Sequence, residues 1–313
     1  MSKTKFAIGC LVQWYECDII GEYVETLKEA IRVYDGQVIV DFTIVGNRDL
    51  EKCINLSQFD KCIKKIKSIC NFENVHYTDD LYTIADYRRE FNNNYCDEVD
   101  VLIWGESDML APKQMFIALD SLHQNTPVPK YLATFGICKM WDDSWKDLEH
   151  PEFTNKPFIE GDNKNWWNIP YTMDVNEMNN FNDKIEELQV IQIQPHKFNG
   201  CGLVISSEVI RSGVNIPKSS FFIHEDTSFM LMTQKVLGMI PQYHFKNILL
   251  VHNRKHPKKR MYIAHEESID YIDDKRKSHS WYNQINQMCN KNNQNLFNPN
   301  YKSYSWKDVT GIE

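Results

Sequence analysis

Val99-Asp100-Val101-Leu102-Ile103-Trp104-Gly105-Glu106-Ser107-Asp108 is the stretch that decides the fold. A short, continuous apolar run is what a buried strand of an α/β sheet requires. Its carboxyl end delivers two acids one residue apart. Ligands of open α/β sheets bind at the carboxyl ends of strands. Residues i and i+2 leave a strand on the same side, so Glu106 and Asp108 can face one point. Two hard oxygen donors on one point suit Mg2+ or Mn2+. The same residues also read as a helix start, with Ser107 or Asp108 as N-cap ahead of Pro112.

Upstream, residues 6–12 form another short apolar run, followed by Trp14, Tyr15 and Glu16 in a loop. Ile20, Val24, Leu27 and Ile31 then fall at helical spacing, and Asp35-Gly36 ends that helix. Residues 37–45 are rich in β-branched types and close on the turn Gly46-Asn47-Arg48-Asp49. This is a β-α-β unit with the proportions of a nucleotide-binding half-sheet. A helix over 57–70, a brief strand at 75–77 and a helix over 83–92 carrying Arg88 and Arg89 complete the first half.

Downstream, the pattern predicts a helix over 113–122 and a strand over 131–140. Residues 141–183 turn polar and Trp-rich, with Trp141, Trp145, Trp166 and Trp167. They are expected to form an irregular insertion over the sheet. A strand is expected within 187–194. Phe198-Asn199-Gly200-Cys201-Gly202-Leu203-Val204-Ile205-Ser206 reads as a Gly-rich turn running into a strand. Two glycines there let the backbone approach a ligand closely. His224-Glu225-Asp226 opens a helix after an apolar run. Its acids either complement the helix dipole or supply a general base in a partly dry cleft. The last core strand, 248–252, ends in His252, either a structural histidine or an imidazole ligand for a Mn2+-type ion. Beyond residue 256 the chain is strongly polar with aromatic anchors, and is expected to pack as helices against the body.

The bulk numbers narrow the classes. The chain has 313 residues, 42% hydrophobic and 25% charged, as for a globular protein with a real core. A net charge of −8 offers no general attraction to nucleic acid or anionic membrane. Arg254-Lys255-His256-Pro257-Lys258-Lys259-Arg260 is a local exception, either a solvated loop or a phosphate-binding run. The nine cysteines include no Cys-x-x-Cys pair, which argues against a zinc knuckle or thioredoxin-like motif. Irregular spacing and an odd number fit a reducing cytoplasm. The first residues lack a signal-peptide h-region, and no run of about 18 apolar residues is present. A cytoplasmic setting, bacterial or in a virus-infected cell, is therefore expected.

In order, these elements resemble the GT-A glycosyltransferases over roughly residues 5–255. An N-terminal β-α-β unit, an acid-x-Asp motif ending a strand, a Gly-x-Gly-strand-Ser segment, a Glu-Asp turn and a late strand-end His carry the likeness. It implies an α/β fold of GT-A (Rossmann-like) type, a mixed central sheet flanked by helices, with a polar helical C-terminal extension. The catalytic domain would span 1–255, with a nucleotide-sugar half (1–110) and an acceptor half (111–255). Residues 256–313 would pack on it.

By that resemblance Glu106, Asp108 and His252 share a divalent cation, Mn2+ or Mg2+, and Asp108 is the firmer direct ligand. The motif is Glu-Ser-Asp where the family has Asp-x-Asp. Asp226 is the base of an inverting reaction, ahead of Glu225. Trp14, Tyr15 and Asp49 contact the nucleotide, Ser107, Gly200 and Gly202 line the donor and acceptor side, and Arg88 or Arg89 adds charge at the diphosphate. The implied activity moves a hexosyl or pentosyl group from a nucleotide diphosphate sugar to a hydroxyl. The acceptor is a glycan, a small molecule, or hydroxymethylated bases in phage DNA. A nucleotidyltransferase is the rival enzyme, although residues 10–18 lack its Gly-rich basic loop. A non-catalytic nucleotide-sugar- or nucleic-acid-binding protein is the rival outside enzymes.

Overall fold

The computed structural model describes residues 2–46, 56–80, 82–139, 143–157, 171, 173–221, 223–253, 281–305 and 308. The first half alternates strand and helix: β1 (Phe6–Gln13), α1 (Ile20–Arg32), β2 (Val38–Val45), α2 (Leu56–Ile69), β3 (Asn74–Thr78), α3 (Ile84–Tyr95) and β4 (Val101–Trp104). The ribbon strand β5 (Met109–Leu110), α4 (Met115–Asn125) and β6 (Leu132–Gly136) follow. The second half holds α5 (Pro151–Thr154), α6 (Val175–Asn182), β7 (Val190–Gln192), β8 (Val204–Ser206), α7 (Ser207–Arg211), α8 (Glu225–Leu237), β9 (Gln242–Leu249), β10 (Val251–His252) and α9 (Trp281–Gln294).

Eight strands form one sheet in the order β3-β2-β1-β4-β8-β6-β9-β7. β1 pairs in parallel with β2 and β4, and β2 with β3. β8 runs antiparallel between β4 and β6. β9 is parallel to β6, and β7 closes the edge antiparallel. The sheet is therefore mixed, as expected. Chain order reverses between β1 and β4, which opens a crevice at their carboxyl ends.

Helices cover both faces. α1, α2 and α4 pack Tyr23, Leu27, Phe59, Ile66, Phe116 and Leu119 onto one side. α3, α7 and α8 pack Phe91, Val209 and Phe229 onto the other. Burying both faces explains why β4 is apolar at every position.

Three departures from the sequence reading have local causes. The last core strand, expected at 248–252, is instead the eight-residue β9 followed by β10. Its first part was hidden because Gln242 and His244 are polar yet fully buried. Their side chains find partners inside: Gln242 donates to the Lys197 carbonyl at 2.7 Å, and His244 Nδ1 meets Thr134 Oγ1 at 3.0 Å. The stretch 141–183 contains an ordered helix, α6. Asp174 caps it by accepting from the Glu177 amide, and Asn182 at its end bonds both ways with the Leu249 backbone. Trp141, Trp166 and Trp167 lie outside the described residues. Finally, residues after Asp108 form β5 rather than a helix, and α4 begins only at Met115. Neither Ser107 nor Asp108 is a helix cap.

Candidate active site

β5 and β10 form a two-stranded antiparallel ribbon that pairs Met109 with His252. The Asn253 amide donates to the Asp108 carbonyl at 2.7 Å. This ribbon carries His252 across 144 to 146 positions of sequence onto the acids that end β4. His252 Nε2 stands 3.0 Å from Glu106 Oε2 and 3.1 Å from Asp108 Oδ1. His252 and Asp108 are buried, and Glu106 is partly open.

One imidazole nitrogen facing two carboxylates carries at most one proton to share between them. Two carboxylates and an imidazole are donors that a divalent cation accepts, with Asp108 adjoining His252 while the donor atoms that lie within 4.8 Å of one another come from Glu106, Cys201 and His252. The residues present therefore fit a divalent ion. The Tyr23 hydroxyl of α1 is fully buried without a hydrogen-bond partner among the described residues, and burial holds it protonated.

Arg88 joins this cluster to the second acidic turn. It is 1% exposed and lies over the Trp104 ring, 4.8 Å from its centroid. Its guanidinium donates to Glu106 at 3.1 Å, to the Gly200 carbonyl at 2.9 Å and to Glu225. Burial works against its charge, but Glu225, Glu106 and Asp226 outweigh that and hold it protonated. Burial also pushes Glu225 up to about 7, against the pull of Arg88 and with help from Asp226 and Glu106.

The sequence context explains how Arg88 is placed. Thr83 and Asp86 form a capping box that fixes the start of α3. Asn92, one turn beyond Arg88, accepts from Trp104 Nε1 at 2.9 Å. α3 is thereby locked against β4, and the guanidinium projects to the strand end. A Cβ on Gly200 would stand 2.6 Å from the guanidinium, so any other residue there must displace Arg88. Gly202, at φ +77°, turns the chain into β8, and its amide donates to the Trp104 carbonyl at 2.8 Å.

Glu225 and Asp226 start α8. His224 ahead of them adopts a left-handed conformation at φ 61°, which breaks the chain direction there. Its Nε2 meets Asn286 Oδ1 of α9 at 2.6 Å, and Asn293 of α9 bonds Ser228. Ile285 and Cys289 bury against Phe221. The C-terminal helix therefore braces the turn that presents these acids. The two differ in direction: Glu225 is buried on Arg88, whereas Asp226 is partly open and accepts from the Thr227 amide at 2.6 Å.

The remaining expected contacts are placed as follows. Trp14 is 3% exposed and packs on Phe59 at 5.3 Å, so its ring has no face for a base. Arg89 donates to the carbonyls of Ile216, Pro217 and Ser220 and pairs with Asp86. It ties down the 216–220 loop. Arg88 is likewise committed, as a bridge between acids. Ser107 is buried between Glu106 and Asp108, 2% exposed. Asp49, the Tyr15 side chain and the basic run 254–260 lie outside the described residues. Two groups that the sequence reading missed stand beside the acids: Tyr23, one of several apolar-face residues of α1, and Cys201, whose only signal was its place between Gly200 and Gly202.

No protein-family model and no curated protein matches the chain. Solved structures similar to it include that of S. aureus TarS 1–349 in complex with UDP-GlcNAc, with a TM-score of 0.47 and 10% identity over 80% of this chain. The match spans 59% of that TarS chain. A second TarS 1–349 structure gives a TM-score of 0.46 and 10% identity over 98% of this chain and 77% of that one. A third, of TarS, gives 0.40 and 11% over 77% and 36%. The functional reading rests on the site itself. No helix among the described residues is long and apolar enough to cross a membrane.

Proposed function

We propose that the chain is a cation-dependent glycosyltransferase that moves a sugar from a nucleotide diphosphate sugar to a hydroxyl, with inversion. One observation carries this reading. Glu106, Asp108 and His252, far apart in sequence, meet at the carboxyl end of β4, beside the crevice where chain order reverses. The sequence resemblance to GT-A enzymes, which implies the same residues as metal ligands, supports the reading.

When bound, a Mn2+ or Mg2+ ion would neutralise the charge that develops on the departing diphosphate. Glu106, Asp108 and His252 would hold it. Arg88 keeps the Glu106 carboxylate aimed at that point, and its charge is offset by Glu225. Asp226 is the partly open acid of the second turn, and so the one able to reach an acceptor. It takes the proton from the acceptor hydroxyl as that oxygen attacks the anomeric carbon from the face opposite the diphosphate. The bond to the diphosphate oxygen breaks as the new glycosidic bond forms. Glu225, buried on Arg88, positions the turn instead of contacting the acceptor.

The test is a titration with nucleotide diphosphates with and without Mn2+, followed by a metal-dependent donor-hydrolysis screen across nucleotide sugars. Binding that needs Mn2+, with slow hydrolysis of one donor, is the expected result. Binding and turnover unaffected by EDTA would remove the cation from the mechanism. Binding without any hydrolysis or transfer would favour a nucleotide-sugar-binding protein. An acceptor panel spanning glycans, small alcohols and hydroxymethylated DNA then identifies the hydroxyl.

A further inference from the structure

Three ligand atoms, one each from Glu106, Cys201 and His252, lie within 4.8 Å of one another. Atoms bound to one ion at ~2.0–2.3 Å stand up to about twice that distance apart, so small side-chain shifts bring all three to one ion. We propose that Cys201 is a ligand of the cation at this site and makes the site select thiophilic ions, favouring Zn2+, Co2+ or Cd2+ over Mg2+. The inference rests on the cation reading above and goes beyond its two acids and imidazole.

The position of Cys201 is built, not incidental. Its amide donates to Asn199 Oδ1 at 3.1 Å, and Gly202 next to it is tied to the β4 carbonyl of Trp104. Both bonds hold residue 201 alongside the end of β4. The side chain is buried, as is that of its neighbour His252, so a cation there would lie largely away from bulk water. Cys201 also borders the hydrophobic core, so one side of it packs on apolar residues while its sulfur lies near an imidazole and a carboxylate. A thiolate is a soft donor, and carboxylate oxygens are hard, so the mixed set selects borderline ions. Ligation releases the thiol proton to solvent as the sulfur–metal bond forms and one metal-bound water leaves.

Metal-free full-length protein is titrated with Cd2+ and Co2+ under ultraviolet absorption, and with Mn2+ and Mg2+ by calorimetry. A sulfur-to-metal charge-transfer band in the wild type, lost in Cys201→Ser, is the expected result. Cys201→Ser should also weaken Cd2+ binding more than about tenfold and change Mg2+ binding less than about threefold. Cys201→Ala, which keeps the buried volume small and apolar, should behave like the serine variant, with melting curves checking that both fold. Metal binding by the wild type without such a band, or a band that survives in both variants, overturns the thiolate ligand and leaves the cation reading intact. No divalent binding at all, or binding unchanged in His252→Ala, overturns the cation reading itself.

Discussion

Two acidic turns face each other across Arg88, and they are built differently. The first, Glu106-Ser107-Asp108, leaves a buried strand, and both its acids stand against one imidazole. The second, Glu225-Asp226, opens a helix. One of its acids is spent on a guanidinium and the other stays partly open. A strand end aims side chains i and i+2 at one point, which suits an ion. A helix start splays successive residues about 100° apart, which suits a division of labour. On the proposed function, the same pair of residue types would serve metal binding in one place and a base with its brace in the other.

The largest effects should come from the strand-end turn. His252→Ala or Asp108→Asn should lower transfer by about 10²–10³-fold or more, with divalent binding lost in parallel. Calorimetry with Mn2+ beside the rate assay checks this, and normal metal affinity in both variants would break the comparison. Asp226→Asn should cost about 10²–10⁴-fold in kcat while leaving Mn2+ affinity unchanged. A nearly normal rate there would move the base elsewhere, with Glu225 the first candidate.

Arg88→Met tests the link between the turns. It leaves Glu225 buried without its partner, and denaturant unfolding should report a loss of about 3–5 kcal/mol. The double variant Arg88→Met, Glu225→Gln should recover much of that loss, because no buried charge remains uncompensated. Equal losses in single and double variants would mean that Arg88 acts by packing on Trp104. Gly200→Ala should cost about 1–3 kcal/mol, since the added methyl meets the guanidinium.

A smaller effect follows from Glu225. Its folded value, pushed up to about 7, lies above the ordinary 4.5. The folded state then holds a proton that the unfolded state releases. That contribution is complete below about 4.5 and is lost as pH rises through 7, at a slope of up to about 1.4 kcal/mol per unit. Metal-free protein should therefore lose stability from pH 4.5 to 7 relative to Glu225→Gln, as read by unfolding curves at each pH. Identical pH profiles for the two proteins would show that Arg88 already holds Glu225 ionised.

The sequence alone determined most elements of the first half-sheet and the strand-end acids. Hydrophobic periodicity and the apolar run before Gly105 are local signals, whereas the polar buried residues of β9 masked its first part. It also marked His224-Glu225-Asp226 as a helix start, because the acids follow an apolar run. The tertiary structure decided which side chains meet. The ribbon of β5 and β10 is too short for any sequence pattern, yet it brings His252 to the acids. Arg88 and Arg89 are adjacent and chemically alike, but they project from different faces of α3. One is buried between two carboxylates and the other ties down a loop. Cys201 looked like a small core residue, and its neighbours come from β4 and β10. Contacts between positions a hundred residues apart leave no local trace, because the side chains are chosen to suit a space that only the folded sheet creates.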